Sequence, residues 1–165
     1  MDLGFISCTK SKRDYPCKTS EMYSVSSLFR KSYAYAKEHY DQIAILSAKY
    51  GLLLSDDQIE PYDLTLKNMP IIQRKEWADT VFHQIMMRLK LDQIKRVFFH
   101  TGKEYREYLI PKLEKLGIQC NIPLEGLSYG KQLAWYNQQN KVVWQVLIKK
   151  ITACMILTME FNIRM

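Results

Sequence analysis

The sequence predicts an α/β domain: a three-layer α/β/α sandwich around a mostly parallel sheet of four to five strands. Short apolar runs alternate along the chain with longer segments in which apolar residues recur every three or four positions. Strands that alternate with helices usually form a parallel sheet with helices on both faces. The 165 residues, 47% of them hydrophobic, are enough for one such domain with a substantial core.

Four apolar runs are predicted as the strands of this sheet. Each ends in small or polar residues. In open α/β sheets the carboxyl ends of parallel strands share one edge, and ligands bind there. The predicted strands are residues 3–7, 42–47, 95–101 and 118–122.

Four further segments have the apolar spacing of helices with one buried face. The first has Ser20 or Ser24 as its candidate N-cap. The second has the widest apolar stripe, and Gly117 closes the third as a C-cap. The predicted helices are residues 24–40, 71–91, 104–116 and 128–138.

The remaining segments lack a clear period. Residues 9–20 and 52–70 contain prolines and many polar residues, and both are predicted as loops. The second loop is long, which favours a functional or mobile segment. A polar break near residue 140 separates an α/β domain, residues 1–140, from a C-terminal tail, residues 141–165, predicted as a helix on the core or a contact for a second copy.

Charge and cysteine usage narrow the class of protein. The formal net charge of +7 favours a polyanionic partner. Cys8, Cys17, Cys120 and Cys154 include no closely spaced pair, so we predict free thiols, no metal site and no other cofactor. The chain opens directly into a strand and its longest apolar window, residues 151–157, is too short for a bilayer; a cytoplasmic protein without a membrane partner is expected.

The four strand ends are predicted to converge as a cationic rim that holds phosphate. The open alternative is four ordinary loops that are polar for solubility. The chain lacks the glycine-rich patterns of a P-loop or a dinucleotide-binding turn, so neither device is expected. The lysines of the rim are Lys10, Lys12, Lys49 and Lys103. The hydroxyl and amide groups predicted to contact phosphate belong to Ser7, Thr9, Ser47 and Gly102.

Two residues are the candidates for acid–base chemistry. Asp63 lies in the stiff sequence Pro61-Tyr62-Asp63 and could orient a water or bind a sugar hydroxyl; the alternative is a solvated loop acid. His100 ends an apolar strand and is either an acid–base group or a hydrogen-bonded histidine at a sheet edge.

Other candidates would contact the ligand. Cys8 follows a strand and precedes lysines, so it is either a nucleophile or, as we favour, a small partly buried thiol. Tyr50 and Tyr62, and less strongly Tyr15 and Tyr23, are predicted near the same edge, where they either stack on a base or belong to the core.

Several of these motifs together resemble a small family of bacterial and phage proteins, DUF6884, over roughly residues 3–138. The resemblance rests most specifically on Ser-Ala-Lys-Tyr-Gly at residues 47–51 with Tyr62-Asp63 downstream. Supporting matches are residues 7–12, 22–23, 28–29 and the Gly-x-x-x-Gly-x-x-Leu pattern of residues 126–133.

The resemblance implies a Rossmann-like layout similar to the uracil-DNA-glycosylase-like fold and to a domain of archaeosine synthase, with a nucleobase or nucleotide as ligand. Glycosylases of that fold place Asp or Asn after the first strand and a histidine loop late in the chain. This sequence has Ser7-Cys8 and residues 123–126, Pro-Leu-Glu-Gly, at those places.

Two functions are therefore expected as alternatives. One is a glycosylase-like hydrolase that acts on a base in DNA or RNA. The other is a non-catalytic nucleotide- or DNA-binding protein of phage, defence or stress-response type, to which the loosely similar YaaA peroxide-stress family also points.

Overall fold

The structure, a computed structural model, describes residues 1–139. The chain divides into two compact units, Met1–Leu127 and Ser128–Met165. In the second unit residues 129–139 are helical, close to the predicted helix at 128–138. The predicted tail, residues 141–165, and its proposed contact with a second copy lie outside the described residues.

The first unit contains strands, helices and two short 3₁₀ turns. The strands are β1 (Asp2–Ser7), β2 (Cys17–Lys18), β3 (Gln42–Ser47), β4 (Gly51–Leu53), β5 (Gln58–Ile59), β6 (Arg96–His100) and β7 (Gln119–Asn121). The helices are α1 (Thr19–Met22), α2 (Ser27–His39), α3 (Ile71–Arg88), α4 (Lys103–Arg106) and α5 (Ile110–Glu114). The 3₁₀ turns are Leu66–Asn68 and Leu91–Gln93.

Five strands form the main sheet in the order β4-β3-β1-β6-β7. Strand β1 pairs in parallel with β3 and β6, β6 pairs in parallel with β7, and only β4 runs antiparallel to its neighbour β3. The prediction of an α/β fold with a mostly parallel sheet of four to five strands is confirmed.

The central strand β1 lies at the middle of the hydrophobic core. Leu3, Phe5 and Ile6 are almost completely buried. Phe5 lies opposite Ala44 and Phe99 in the sheet register, and the Phe5 and Phe99 ring centroids are 5.3 Å apart. Burial of each such large side chain contributes about 1.5–3 kcal/mol, which explains why these apolar runs form interior strands.

The prediction of residues 52–70 as a loop was wrong in part. Strand β4 covers its start, β5 pairs with β2 in a separate two-stranded sheet, and a 3₁₀ turn follows. These strands have only two or three residues each, too few to show the alternation that identifies a strand. The predicted loop at residues 9–20 likewise contains β2 and the start of α1.

Two helix predictions need correction. Helix α2 begins at Ser27, and its N-cap is Ser26, whose side chain accepts a hydrogen bond from the Phe29 N–H; neither predicted cap has that role. The predicted helix at 104–116 is divided into α4 and α5. Pro111 lies in the first turn of α5 and explains the break, because its ring lacks an N–H and disfavours a continuous helix before it.

Candidate functional site

The parallel strands end at one edge of the main sheet, at Ser7, Ser47, His100 and Asn121. The pairing of β1 with β3 extends one residue further, since the Cys8 N–H donates to the Leu46 carbonyl at 2.8 Å. The topology therefore places the first three predicted corners along the carboxyl edge of neighbouring strands.

A tight hairpin forms the corner after β3. Ser47 pairs with Gly51 across only three intervening residues, and Gly51 has a φ of 74°. The Ser47 Oγ accepts the backbone N–H groups of Lys49 at 3.3 Å and Tyr50 at 3.1 Å. A serine hydroxyl that closes a turn in this way fixes the backbone that carries Lys49 and Tyr50.

Side chains of α3 hold this hairpin from the open side of β4, the last strand of the sheet. The Gln84 amide accepts the Leu52 N–H at 2.7 Å and donates to the Tyr50 carbonyl at 3.1 Å. Arg88 donates to the Leu52 carbonyl at 3.0 Å. Side chains thus satisfy backbone groups that an edge strand would otherwise expose.

Tyr62 is hydrogen-bonded to the same serine. Its hydroxyl lies 2.8 Å from Ser47 Oγ and 2.8 Å from the Tyr23 hydroxyl. Ser47 Oγ therefore joins the two backbone N–H groups of the hairpin and the Tyr62 hydroxyl in one hydrogen-bonded cluster. Burial raises the pKa of both Tyr62 and Tyr23 well above the ordinary value, so both hydroxyls are neutral at pH 7.

Two lysine ammonium groups lie against the Tyr62 ring. The Lys12 nitrogen is 4.3 Å from the ring centroid and the Lys49 nitrogen is 5.9 Å from it. Lys49 is also 4.9 Å from the centroid of Tyr50, which contacts Tyr62 edge-on. Cation–π contacts at such sites contribute about 0.5–1 kcal/mol each. Burial lowers the pKa of Lys12, and the negative charge of Asp63 opposes that shift.

The Cys8 thiol contacts another buried tyrosine, Tyr105. Its Sγ lies 3.2 Å from the Tyr105 hydroxyl, and burial raises the pKa of Tyr105. The Tyr105 ring packs edge-on against Trp77, whose indole N–H donates to the Ser47 carbonyl at 3.0 Å. Helices α3 and α4 therefore both reach the edge at which β1 and β3 end.

In the first corner, one hydroxyl predicted to contact phosphate, that of Thr9, is engaged within the protein. The Thr9 hydroxyl donates to the Ser11 carbonyl at 3.0 Å, and the Lys12 ammonium is 3.4 Å from the Lys10 carbonyl. Ser7 is half-buried at the end of β1, and the Lys10 side chain is exposed. The exposed Lys10 and the half-buried Lys12 are the cations that this corner offers to a ligand.

The two acid–base candidates lie in different surroundings. Asp63 is exposed and close enough to Lys12 for its charge to act on that ammonium group. His100 is buried, and its Nε2 is 2.6 Å from the Tyr40 hydroxyl. Burial lowers the pKa of His100 to about 4, so the imidazole is neutral at pH 7.

The corner after β6 is open to solvent. Gly102 is exposed and precedes the first residue of α4, Lys103, which is also exposed. Arg106, from the same helix, donates to the Thr101 carbonyl at 2.7 Å and lies 3.7 Å from the Glu125 carboxylate. Lys12 and Lys49 both contact the Tyr62 ring, whereas the contacts described in the corner after β6 are made by Arg106.

Several residues that build the site were not predicted. Trp77 and Gln84 are seven residues apart on α3, and Arg88 follows four residues later, which places the three on one helix face. The polar residues Gln84 and Arg88, four positions apart beside the apolar stripe, could have indicated side chains that hydrogen-bond toward the protein interior. Tyr105 gave no signal beyond its place on a predicted helix.

Among residues 1–139, no group of three His, Cys, Asp or Glu side chains is arranged to hold a metal ion. Within the same part of the chain, no helix has both the length and the apolar character needed to cross a bilayer.

Comparison with known proteins identifies a family for this chain. No curated protein matches this chain. The model of a family of unknown function, DUF6884, matches residues 3–138, which include the β1 corner, the hairpin and Tyr62-Asp63. Because the match covers most of the sequence, this chain belongs to the DUF6884 family.

Proposed function

We propose that this protein binds a phosphate-containing ligand, a nucleotide or a nucleic acid, at the carboxyl edge of its sheet. One observation carries the proposal: the ammonium groups of Lys12 and Lys49 both lie within 6 Å of the centre of the Tyr62 ring. Two cations held against one ring repel each other, and a bound anion relieves that repulsion.

The surroundings favour a nucleotide over a simple anion. Tyr50 is half-buried beside Lys49, with its hydroxyl 3.3 Å from the Glu60 carbonyl, so its ring is held in place. A fixed tyrosine next to a phosphate-binding cation suits a base attached to that phosphate. The net charge of +7 adds long-range attraction for polyanions.

The enzymatic form of the proposal is glycosylase-like hydrolysis of an N-glycosidic bond in DNA or RNA, on a three-layer fold similar to that of uracil-DNA glycosylase. Asp63 supports it, because an exposed carboxylate beside Lys12 is available to orient a water. His100, neutral and hydrogen-bonded to Tyr40, fits a role as a hydrogen-bond partner better than one as a proton donor. A duplex substrate would require extrusion of the target base.

The alternative is a binding protein without turnover, such as a nucleotide sensor or a phage, defence or stress-response protein. The engaged state of the polar groups supports it: the hydroxyls of Thr9, Ser47 and Tyr62 are all hydrogen-bonded within the protein. Such a site holds charge well but offers few groups to activate a water.

Calorimetric titration with nucleotides and short oligonucleotides tests the binding proposal. Lys12→Gln and Lys49→Gln should each weaken binding, while Lys90→Gln, a matched change of an exposed lysine beyond α3, should not. Equal affinity in all three variants would contradict the proposed site. Release of free base from modified DNA and RNA, lost in Asp63→Asn, distinguishes the enzyme from the binding protein.

A further inference from the structure

We infer that the Lys12–Lys49 site selects a phosphomonoester, such as the terminal phosphate of a nucleotide, over the phosphodiester inside a nucleic-acid chain. The inference rests on the proposed function and specifies its ligand. Three features of the site support it.

The first feature is that several directional donors near the two lysines are already engaged within the protein. A site for a backbone diester usually offers N–H and hydroxyl groups aimed at particular oxygens. Here the N–H groups of Lys49 and Tyr50 are already donated to Ser47 Oγ, and the Ser47 and Tyr62 hydroxyls are hydrogen-bonded to each other. The Thr9 hydroxyl is engaged with Ser11. With these donors engaged, the ammonium charges of Lys12 and Lys49 contribute a large share of recognition, which should follow the charge of the ligand.

The second feature is that these charges are not neutralised. Within the described part of the chain, other lysines and arginines form salt bridges, such as Lys18 with Asp56 and Lys112 with Asp79, but neither Lys12 nor Lys49 does. Asp63 is the acid that acts on Lys12, and its exposure to water weakens that effect. The exposed Lys10, whose carbonyl contacts the Lys12 ammonium, adds a further positive charge to the same loop.

The third feature is the match of charge. A phosphomonoester carries about −1.5 to −2 at pH 7, because its second pKa is near 6. A diester has a single acidic proton and therefore carries one negative charge at neutral pH. The summed charge of the two ammonium groups beside the Tyr62 ring therefore matches that of a monoester, whereas a diester leaves about one positive charge uncompensated.

The experiment compares three probes by calorimetry at fixed ionic strength and pH 7.5: a nucleoside, its 5′-monophosphate and the methyl diester of that monophosphate. The monophosphate should bind about tenfold more tightly than the diester. At pH 5, where the monoester has lost most of its second charge, that ratio should fall to about two. The affinity of an oligonucleotide is then measured with and without a 5′-phosphate. Tighter binding of the phosphorylated oligonucleotide indicates that the site accepts the end of a nucleic acid as well as a free nucleotide.

The variants attribute the selectivity to the two lysines. Lys12→Gln and Lys49→Gln should each reduce the ratio of monoester to diester affinity to about two or three, and Lys90→Gln should leave it unchanged. Circular dichroism melting verifies that each variant is folded. A diester that binds as tightly as the monoester, or a ratio that survives both substitutions, overturns the inference while the proposed function stands. If none of the probes binds, the proposed function fails and the inference fails with it.

Discussion

The side-chain amide oxygen of Gln84 accepts the Leu52 N–H at 2.7 Å, in the place that the carbonyl of a neighbouring strand would take. The same amide donates to the Tyr50 carbonyl, so one side chain of α3 bridges the two residues that flank Gly51. The turn that carries Lys49 is therefore fixed from both sides, by Ser47 within the hairpin and by Gln84 from the helix. The position of one cation of the proposed site depends on a helix residue 35 positions later in the sequence.

Gln84→Ala should destabilise the protein by about 1–3 kcal/mol, because it leaves a partly buried N–H and a carbonyl without their partners. It should also weaken nucleotide binding, since the loop that carries Lys49 loses its support. Urea unfolding and calorimetry measure the two effects. Gln73→Ala, an exposed glutamine of the same helix, is the control and should change stability by less than about 0.5 kcal/mol. Equal stability of the two variants would show that the bridge is unimportant.

Gly51→Ala tests the same contact from the hairpin side. Gly51 has a φ of 74°, and a Cβ there would overlap the Gln84 Oε1. Gly117 is a matched control, because it has a φ of 77° but open space where a Cβ would lie. Alanine in this backbone conformation costs about 1–2 kcal/mol at either position.

The difference between the two glycine variants isolates the Gln84 contact. Gly51→Ala should lower the free energy of unfolding by about 1–3 kcal/mol more than Gly117→Ala, because Gln84 must move and give up two hydrogen bonds. In a Gln84→Ala background that excess should vanish. An excess that persists there would assign the strain to another neighbour.

Features of the fold that depend on residues close together in the sequence could be predicted, whereas contacts between residues far apart in the sequence could not. The apolar runs of β1, β3 and β6 are each visible within a few consecutive residues, so the strands and the edge that they share could be predicted. The turn residues Ser47 and Gly51 are likewise close together in the sequence. The antiparallel course of β4 could not be predicted, because three residues contain no periodicity.

The contacts inside the site could not be predicted, because each joins positions far apart in the chain. Tyr62 meets Tyr23 across 39 residues, and Cys8 meets Tyr105 across 97. A sequence indicates that a tyrosine is placed near an edge, but which hydroxyl it reaches depends on packing. Tyr62 shows the consequence: it was predicted either to stack on a base or to belong to the core, and its contact with Lys12 was not predicted.

Tyr62→Phe should separate the two roles of that residue. The substitution removes the hydroxyl that Ser47 and Tyr23 contact and should cost about 1–3 kcal/mol of stability. It keeps the ring that Lys12 lies against, so nucleotide affinity should change by less than about twofold. Tyr15→Phe, at an exposed tyrosine, is the control for stability.

Tyr62→Leu, which removes the ring as well, should weaken nucleotide binding further than Tyr62→Phe does. Thermal unfolding and calorimetry on the same samples distinguish the effects. Loss of binding in Tyr62→Phe equal to that in Tyr62→Leu would mean that the hydroxyl, and not the ring, supports the ligand.

His100 should make the protein sensitive to mild acid. Burial lowers its folded-state pKa to about 4, whereas the unfolded chain titrates near 6.5. Between those values the unfolded state binds a proton that the folded state excludes, so stability falls as the pH drops through this window. From pH 7 to pH 5 the expected loss is about 2 kcal/mol, followed by urea unfolding at each pH.

His100→Gln should remove most of that pH dependence, because glutamine does not titrate and can still hydrogen-bond to the Tyr40 hydroxyl. His83→Gln, at an exposed histidine of α3, should retain the full pH dependence. The comparison stays above pH 5 because carboxylates such as that of Asp2, whose pKa its hydrogen bond with Arg96 lowers, titrate below it. If the wild-type protein and His100→Gln lose stability in parallel, the acid sensitivity has another origin, and the buried histidine is already accommodated as a cation.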